Sequence, residues 1–436
     1  MRDSKSNGNK VKKHFINEAS SPEKGLAPYA RFVGNKKIEE LLKLGEELRG
    51  IRIQQINSAR VGGGVAEMLQ SLIPIERALG LDVRWDVITG DHSFFTFTKT
   101  LHNFLQGRPG ALDILGSKVY WDTNRSNSKI IDHQAEVILI HDPQPAGLIT
   151  YVPPEVRWRQ KWIWRCHIQL DTDLCLMMDF LKPLIELYDA AIFSSLRCMP
   201  RWRIAPFVVL PYIDPLSDKN RKLTAREIRS VLNRFGIEDP AKKPLITLVS
   251  RFDPFKGHVY AIDAFLEVRK NLSCQLLLVG GTASDDPENQ VIFEQLTEKV
   301  KGVPDIHLIN LPASSHVEIN AFQWASTIIL QPSLKEGFGL TVTEGMWKGK
   351  PVIGGNVGGI PSQIADGYNG FLVTPGDKGV PEMADRITHL LLHPTLAEVI
   401  GRRARDTVRE RFLITRGLWD ELMLVKSVVK NHLYRL

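Results

Sequence analysis

"PLITLVSRFDPFKGHVYAIDAFLEVRKNLSCQLLLVGG", residues 244–281, decides how this chain folds. Two short apolar runs, "PLITLVS" and "CQLLLVGG", flank the helical run "HVYAIDAFLEVRK". Strand, helix and strand in that order imply parallel neighbours with the helix crossing one face of the sheet. The alternation continues through "IHLIN", "STIILQPS", "KPVIGG" and "GFLVTP", with "HVEINAFQWAS" as a further helix. Upstream, "IRIQQIN", "LDVRWDVI", "AEVILIHD", "KWIWRCHI" and "DAAIFSS" make a second series of the same kind. In the first helix of that series, Val65, Met68, Leu69, Leu72 and Ile75 share one face. A polar, proline-containing stretch between residues 212 and 244 separates the two series.

The fold expected is therefore α/β, with two Rossmann-like doubly wound domains. Ligands of open α/β sheets bind outside the carboxyl ends of the strands, so two such domains facing each other enclose a cleft. The boundaries expected are a flexible basic tail over 1–25, one domain over 26–213 and another over 214–405. A helical segment over 406–436 would reach back to brace the first domain.

Composition narrows the class. The chain has 436 residues, 43% hydrophobic and 24% charged, as in ordinary globular proteins. No apolar run approaches a membrane span, and "MRDSKSNGNKVKKHF" is polar and basic, so a cytoplasmic setting is expected. The four cysteines form no CxxC pair and no zinc spacing. The net charge of +7 suits a phosphate-bearing ligand as well as nucleic acid. The basic residues are scattered, however, without the aromatic–basic strip of a nucleic-acid face.

Three clusters fall at strand ends. In "SRFDPFKG", Arg251 and Lys256 leave a strand toward the cleft, a fork and a point charge suited to a diphosphate. The same pair also reads as an ordinary solvated loop. In "LKEGFGLTVTEGMWKGKPVIGG", a loop runs into a helix starting near Leu340. The N–H groups from Gly337 to Thr341 would meet an anion there, helped by the helix dipole. Glu336 and Glu344 would touch different parts of one extended ligand; a retaining glycosidase instead needs its carboxyls about 5 Å apart. In "SARVGGGVAEML", the glycine run permits close backbone approach, but the dinucleotide fingerprint G-x-G-x-x-G is absent. His141 with Asp142, and His167, end neighbouring strands at the same edge. The tryptophans of "VRWRQKWIWRC" read as packing, or as walls for sugar faces.

"SRFDPFKG", "LLLVGG", "PSLKEGFGLTVTEGMWKGKPVIGGNVGGI" and "DGYNGFLV" resemble the nucleotide-sugar half of the family 4 retaining glycosyltransferases, of GT-B type. Glutamate-x7-glutamate is that family's hallmark. "INSARVGGGVAEML", "KTLHNFLQG", "HDPQPAGLI" and "WIWRCHI" resemble the trehalose glycosyltransferring synthases and the related trehalose phosphorylases. The resemblance implies transfer of glucose from a nucleoside diphosphate glucose to glucose, forming α,α-trehalose, in a reaction that can run in reverse. It makes the first domain the acceptor side and the second the nucleotide-sugar side.

By the same resemblance, Arg251 and Lys256 would hold the diphosphate. Glu336 with Gly337, Phe338, Gly339 and Leu340 would bind the donor sugar, and Glu344 its ribose. His167 would lie near the reacting centre, with Gly63 and Gly64 on the phosphate–acceptor side. His141, Asp142 and Gln144 are the candidates for the acceptor pocket. No metal site and no cofactor are implied, although Mg2+ is compatible; a homodimer is left open. One departure stands out: where the family pattern reads "HIDLS" this chain has "HIQLD", with Gln169, which puts acceptor choice in question. The alternatives are a trehalose phosphorylase, a glycosyltransferase with another sugar acceptor, or a non-catalytic nucleotide or nucleic-acid binder.

Overall fold

A computed structural model describes residues 25–61, 64–107, 114–170, 175–196, 199–281 and 289–430. The expected tail over 1–25, apart from Gly25, and Gly63 lie outside the described residues. The first sheet contains β1 (Arg52–Asn57), β2 (Asp82–Val87), β3 (Val137–His141), β4 (Lys161–Cys166), β5 (Ala190–Phe193) and β6 (Ala205–Val208), in the order β2-β1-β3-β4-β5-β6. The second contains β7 (Leu245–Val249), β8 (Gln275–Gly281), β9 (Ile306–Leu311), β10 (Ile328–Gln331), β11 (Val352–Gly355) and β12 (Phe371–Val373), in the order β12-β11-β10-β7-β8-β9. Every pairing is parallel.

The strand orders locate the crevices. The first sheet reverses direction of growth between β1 and β3, and the second between β7 and β10. Loops leaving those carboxyl ends diverge to opposite faces and open a gap. Residues after β1, β3, β7 and β10 border that gap. β6 is the strand that periodicity does not reveal: "APFV" carries Pro206 and is only half-buried, which an edge strand tolerates.

Each face of the first sheet has its own core. Trp162 and Trp164 are fully buried with Phe94, Leu101 and Tyr120, so these tryptophans pack the sheet and form no sugar wall. Trp158 instead is exposed. The opposite face packs Ile53, Leu139, Ile163 and Ile192 against Leu69 and Leu72 of the helix Gly64–Ala78, and against Leu418, Leu422, Val425 and Val428. Those last four belong to Ile414–Val429, the final described helix. The chain recrosses at Phe412–Ile414 rather than at residue 406, because Pro394–Arg411 is one continuous helix. Its Ala404 and Val408 pack with Val342 and Met346 of the second domain. The two crossings are tied together: Ile213 N–H donates to Phe412 O at 2.9 Å, and Ile414 N–H donates to Ile213 O at 2.9 Å.

The returning helix also brings a charge into the core. Glu421 pairs with Arg165 of β4, both essentially inaccessible to water, and accepts from Tyr212 Oη at 2.8 Å. Breaking one side of a buried pair strands the other charge, at about 3–5 kcal/mol. Glu421→Ala is expected to lower the thermal midpoint accordingly, while Arg165→Met with Glu421→Met recovers most of the loss; differential scanning calorimetry checks both.

Candidate active site

A cavity of about 400 Å³ lies between the two carboxyl edges. On the second domain, the loop after β7 is shaped by Asp253, whose Oδ1 accepts from Phe255 N–H at 2.8 Å. Gly257 has φ +74°, and a Cβ there would sit 2.1 Å from Pro332 O. Only glycine lets this turn dock against the loop after β10. The docking brings Lys256 Nζ to 2.7 Å from Glu336 Oε2. The same oxygen accepts from Ser333 Oγ at 3.2 Å. Arg251 lines the cavity beside them and is the more exposed of the two basic residues, its side chain 41% accessible against 17% for Lys256. It is thus the cation better placed to reach a ligand.

The Gly337–Gly339 loop meets the other domain as well as the cavity. A Cβ on Gly337 would lie 2.0 Å from His167 O, so the second domain's backbone rests directly on the first domain's loop. Glu336 N–H donates to Gln169 Oε1 at 3.3 Å, and that same oxygen lies 2.9 Å from where a Cβ on Gly358 would be. Gln169 therefore acts at the contact between domains, and it does not line the cavity. Phe338 is buried, with its ring 5.6 Å from that of Phe412. Leu340 opens the helix Leu340–Trp347 and touches Gly64, where a Cβ would stand 2.9 Å from Leu340 Cδ1.

Glu344, 2% exposed, is held by Lys219 Nζ at 3.1 Å and by Gln323 Nε2 at 2.9 Å. Lys219 Nζ also lies 2.9 Å from Glu67 Oε2 of the first domain. Burial works against the Lys219 ammonium, but Glu344 and Glu67 outweigh it and raise its pKa. Lys219 thus links a linker residue to a carboxylate from each domain.

On the first domain, Asp142 adopts φ +65°, a conformation costing about 1–3 kcal/mol outside glycine, less for Asp. It is held there on three sides. Its N–H donates to Arg165 O at 2.8 Å, its O accepts from Trp164 Nε1 at 3.0 Å, and its Oδ1 accepts from His167 N–H at 2.9 Å. His141 and His167 are joined at 3.0 Å through Nδ1 and Nε2. Burial first, then Arg165, pushes the pKa of each well down. Gln144 also lines the cavity.

Of the candidate residues that are described, all line this cavity: Gly64, His141, Asp142, Gln144, His167, Arg251, Lys256, Glu336, Gly337, Phe338, Gly339, Leu340 and Glu344. Lys219, Lys99, His102 and Asp253 also line it, and the sequence alone assigns none of them a role. Lys99 and His102 lie three apart on the helix His92–Leu105, on one face. Lys99 Nζ reaches Asp253 Oδ2 at 3.4 Å across the domain gap. Burial, then Lys99 and Arg251, pushes His102 down to about 3. Among the described residues no group of three or more His, Cys, Asp or Glu is placed to hold a metal ion. None of the described helices is long and apolar enough to cross a membrane.

Two parallel doubly wound sheets, with switch points facing across a cavity lined by basic side chains and two glutamates, define a glycosyltransferase of GT-B type. The α,α-trehalose-phosphate synthase (UDP-forming) of Burkholderia xenovorans has this fold, with TM-score 0.68 at 14% identity, over 86% of this chain and 99% of that one. Residues 55–200 match the family model "Trehalose synthase, N-terminal domain", and residues 232–407 match "Glycosyl transferases group 1". A trehalose synthase of Pyrococcus horikoshii is 41% identical over 95% of this chain and 99% of its own length. The chain belongs to the trehalose synthase family. A trehalose phosphorylase of Pleurotus pulmonarius is more distant, at 30% identity over 81% of this chain and 54% of its own length.

A titratable group is buried where the helix Leu340–Trp347 meets the linker. Lys348 Nζ donates to Lys219 O at 2.8 Å and to Asn220 Oδ1 at 2.9 Å, and burial lowers it from 10.5 to about 7 despite Glu344 nearby. Between about pH 7 and pH 10 the unfolded chain holds a proton that the folded one has released, so stability rises with pH in that window. Lys348→Met is expected to flatten most of that rise in thermal melts from pH 7 to pH 10. It leaves the smaller contribution of Lys350, lowered by burial to about 8.

Proposed function

We propose that this chain transfers glucose, with retention of configuration, from a nucleoside diphosphate glucose to the anomeric hydroxyl of glucose, forming α,α-trehalose in a reversible reaction. The observation that carries this reading is the pairing of Lys256 with Glu336 beside Arg251, at the switch point of the second sheet. Arg251 and Lys256 bind the diphosphate and stabilise its charge as the glycosidic bond breaks, the largest contribution a protein of this kind makes. Glu336 and the Gly337–Leu340 backbone hold the donor sugar, and Glu344, steadied by Lys219 and Gln323, accepts from the ribose hydroxyls. The acceptor sits beside Asp142 and Gln144, with His141 set behind His167, and attacks from the face the leaving group departs. The departing phosphate takes the acceptor's proton. These steps are assigned to the chain's own residues. The buried thiols of Cys166 and Cys274 suit a reducing compartment such as the cytoplasm.

Purified protein incubated with glucose and a panel of nucleoside diphosphate glucoses is expected to form trehalose and nucleoside diphosphate in equal amounts with one of them. Trehalose breakdown that depends on inorganic phosphate and ignores nucleotide would instead identify a phosphorylase. Lys256→Ala is expected to lower kcat/KM by about 100-fold, the loss typical of one stabilising charge or donor. Glu344→Ala should raise KM for the nucleotide sugar more than it lowers kcat, as measured by initial rates.

A further inference from the structure

A chain of buried hydrogen bonds runs from the cavity into the first sheet. The His167 and His141 rings lie within 17° of one plane, with centroids 5.3 Å apart and Nε2 to Nδ1 at 3.0 Å. That is an edge-to-edge arrangement, in which one ring N–H points along the other's lone pair. His141 Nε2 in turn lies 2.9 Å from Gln55 Oε1. The amide nitrogen of Gln55 lies 3.0 Å and 3.3 Å from the two carboxyl oxygens of Glu76. Gln55 and His141 are buried on β1 and β3, and Glu76 is buried on the helix Gly64–Ala78.

The orientation of the Gln55 amide sets donors and acceptors along this chain. With its NH2 group turned to the Glu76 carboxyl, Gln55 offers His141 an oxygen, which can only accept. His141 therefore carries its hydrogen on Nε2. Buried and facing the Arg165 guanidinium, it stays neutral, which leaves Nδ1 bare. A bare Nδ1 demands a hydrogen on His167 Nε2. His167 is neutral for the same reasons, so its remaining nitrogen, Nδ1, is a lone pair, and no hydrogen bond to it is formed by the described residues. Burial and then Glu421 raise Glu76 to about 8; when protonated on one oxygen it still offers the other to the Gln55 amide nitrogen.

We propose that Gln55, acting through His141, fixes His167 as the Nε2–H tautomer and so makes its Nδ1 a hydrogen-bond acceptor for a sugar hydroxyl in the cavity. Gln55 and His141 are positioning residues: they set the polarity of a side chain they do not replace. An acceptor at Nδ1 favours a hydroxyl there and disfavours a phosphate oxygen, which has no hydrogen to give. This rests on reading the cavity as a sugar site.

The test begins with the whole protein and no ligand, labelled with 15N-histidine and assigned by comparison with His141→Gln and His167→Gln. Both rings are expected as neutral Nε2–H tautomers, from nitrogen chemical shifts at pH 7.5. A His167 hydrogen on Nδ1, or an imidazolium, would overturn the proposal, whatever the reaction proves to be. The second arm compares variants in trehalose formation. Gln55→Met, which removes the oxygen, is expected to lower kcat about tenfold with KM for the nucleotide sugar unchanged. Gln55→Glu combined with Glu76→Gln, which keeps an oxygen facing His141 Nε2 and an amide donor for the other oxygen, should stay closer to the parent in kcat. Equal loss in both variants would overturn the proposal, because an inverted chain needs a donor at Gln55. The tautomer measurement stands even if Gln55→Met fails to fold, and trehalose synthesis by the parent tests the sugar-site reading separately.

Discussion

The contact between the Gly337 backbone and the His167 carbonyl is the constraint on which the site depends. A Cβ at Gly337 would stand 2.0 Å from that oxygen, a distance that no side chain can accommodate and that backbone on backbone cannot relieve by a rotamer change. Glycine lets the loop carrying Glu336 lie on the loop carrying His167. From that contact follow the approach of Glu336 N–H to Gln169 and the meeting of Leu340 with Gly64. The long reach of Lys99 to Asp253 belongs to the same gap. Glycine in this motif serves the fit between the two halves as much as the approach of a ligand.

Electrostatics divides the cavity along the same line. The second domain contributes Arg251 and Lys256, with carboxylates at Glu336 and Glu344 between which an extended ligand can be held. The first domain presents two neutral imidazoles, kept uncharged by burial and by the Arg165 guanidinium beneath them. Arg165 keeps its place because Glu421 and Tyr212 meet it there. A charge brought by the returning helix thereby influences the ionisation of groups at the cavity wall, through side chains that never reach a substrate.

Most of the architecture was written in the alternation of apolar runs, because buried parallel strands are continuous stretches of Val, Ile and Leu. β6 escaped because a half-buried edge strand with Pro206 has neither the run nor the period. The candidate residues at strand ends were legible because the carboxyl edges of such sheets are where ligands bind. Their charge partners were not. Lys219 lies in a polar linker and Lys99 on a helix face, and both matter only through residues far away in sequence, Glu344 and Asp253. Gln55 reads as an ordinary strand residue until Glu76 and His141 are seen on either side of it. Gln169 departs from the family pattern in sequence, yet its contact with Glu336 exists only through the packing of the two halves.

The helix Ile414–Val429 has a consequence for the making of the protein. The core face formed by Ile53, Leu139, Ile163 and Ile192 is completed by side chains translated some 220 or more residues after the last of those four. During synthesis that face is covered only in part, by Leu69 and Leu72, while the second half is made and folds, since domains form largely as units in the order they emerge. From Ile192 to Leu418, about half of the chain's length, the rest of that apolar surface stays open. The helix Ile414–Val429 closes over the rest of the face only after the second domain has been made.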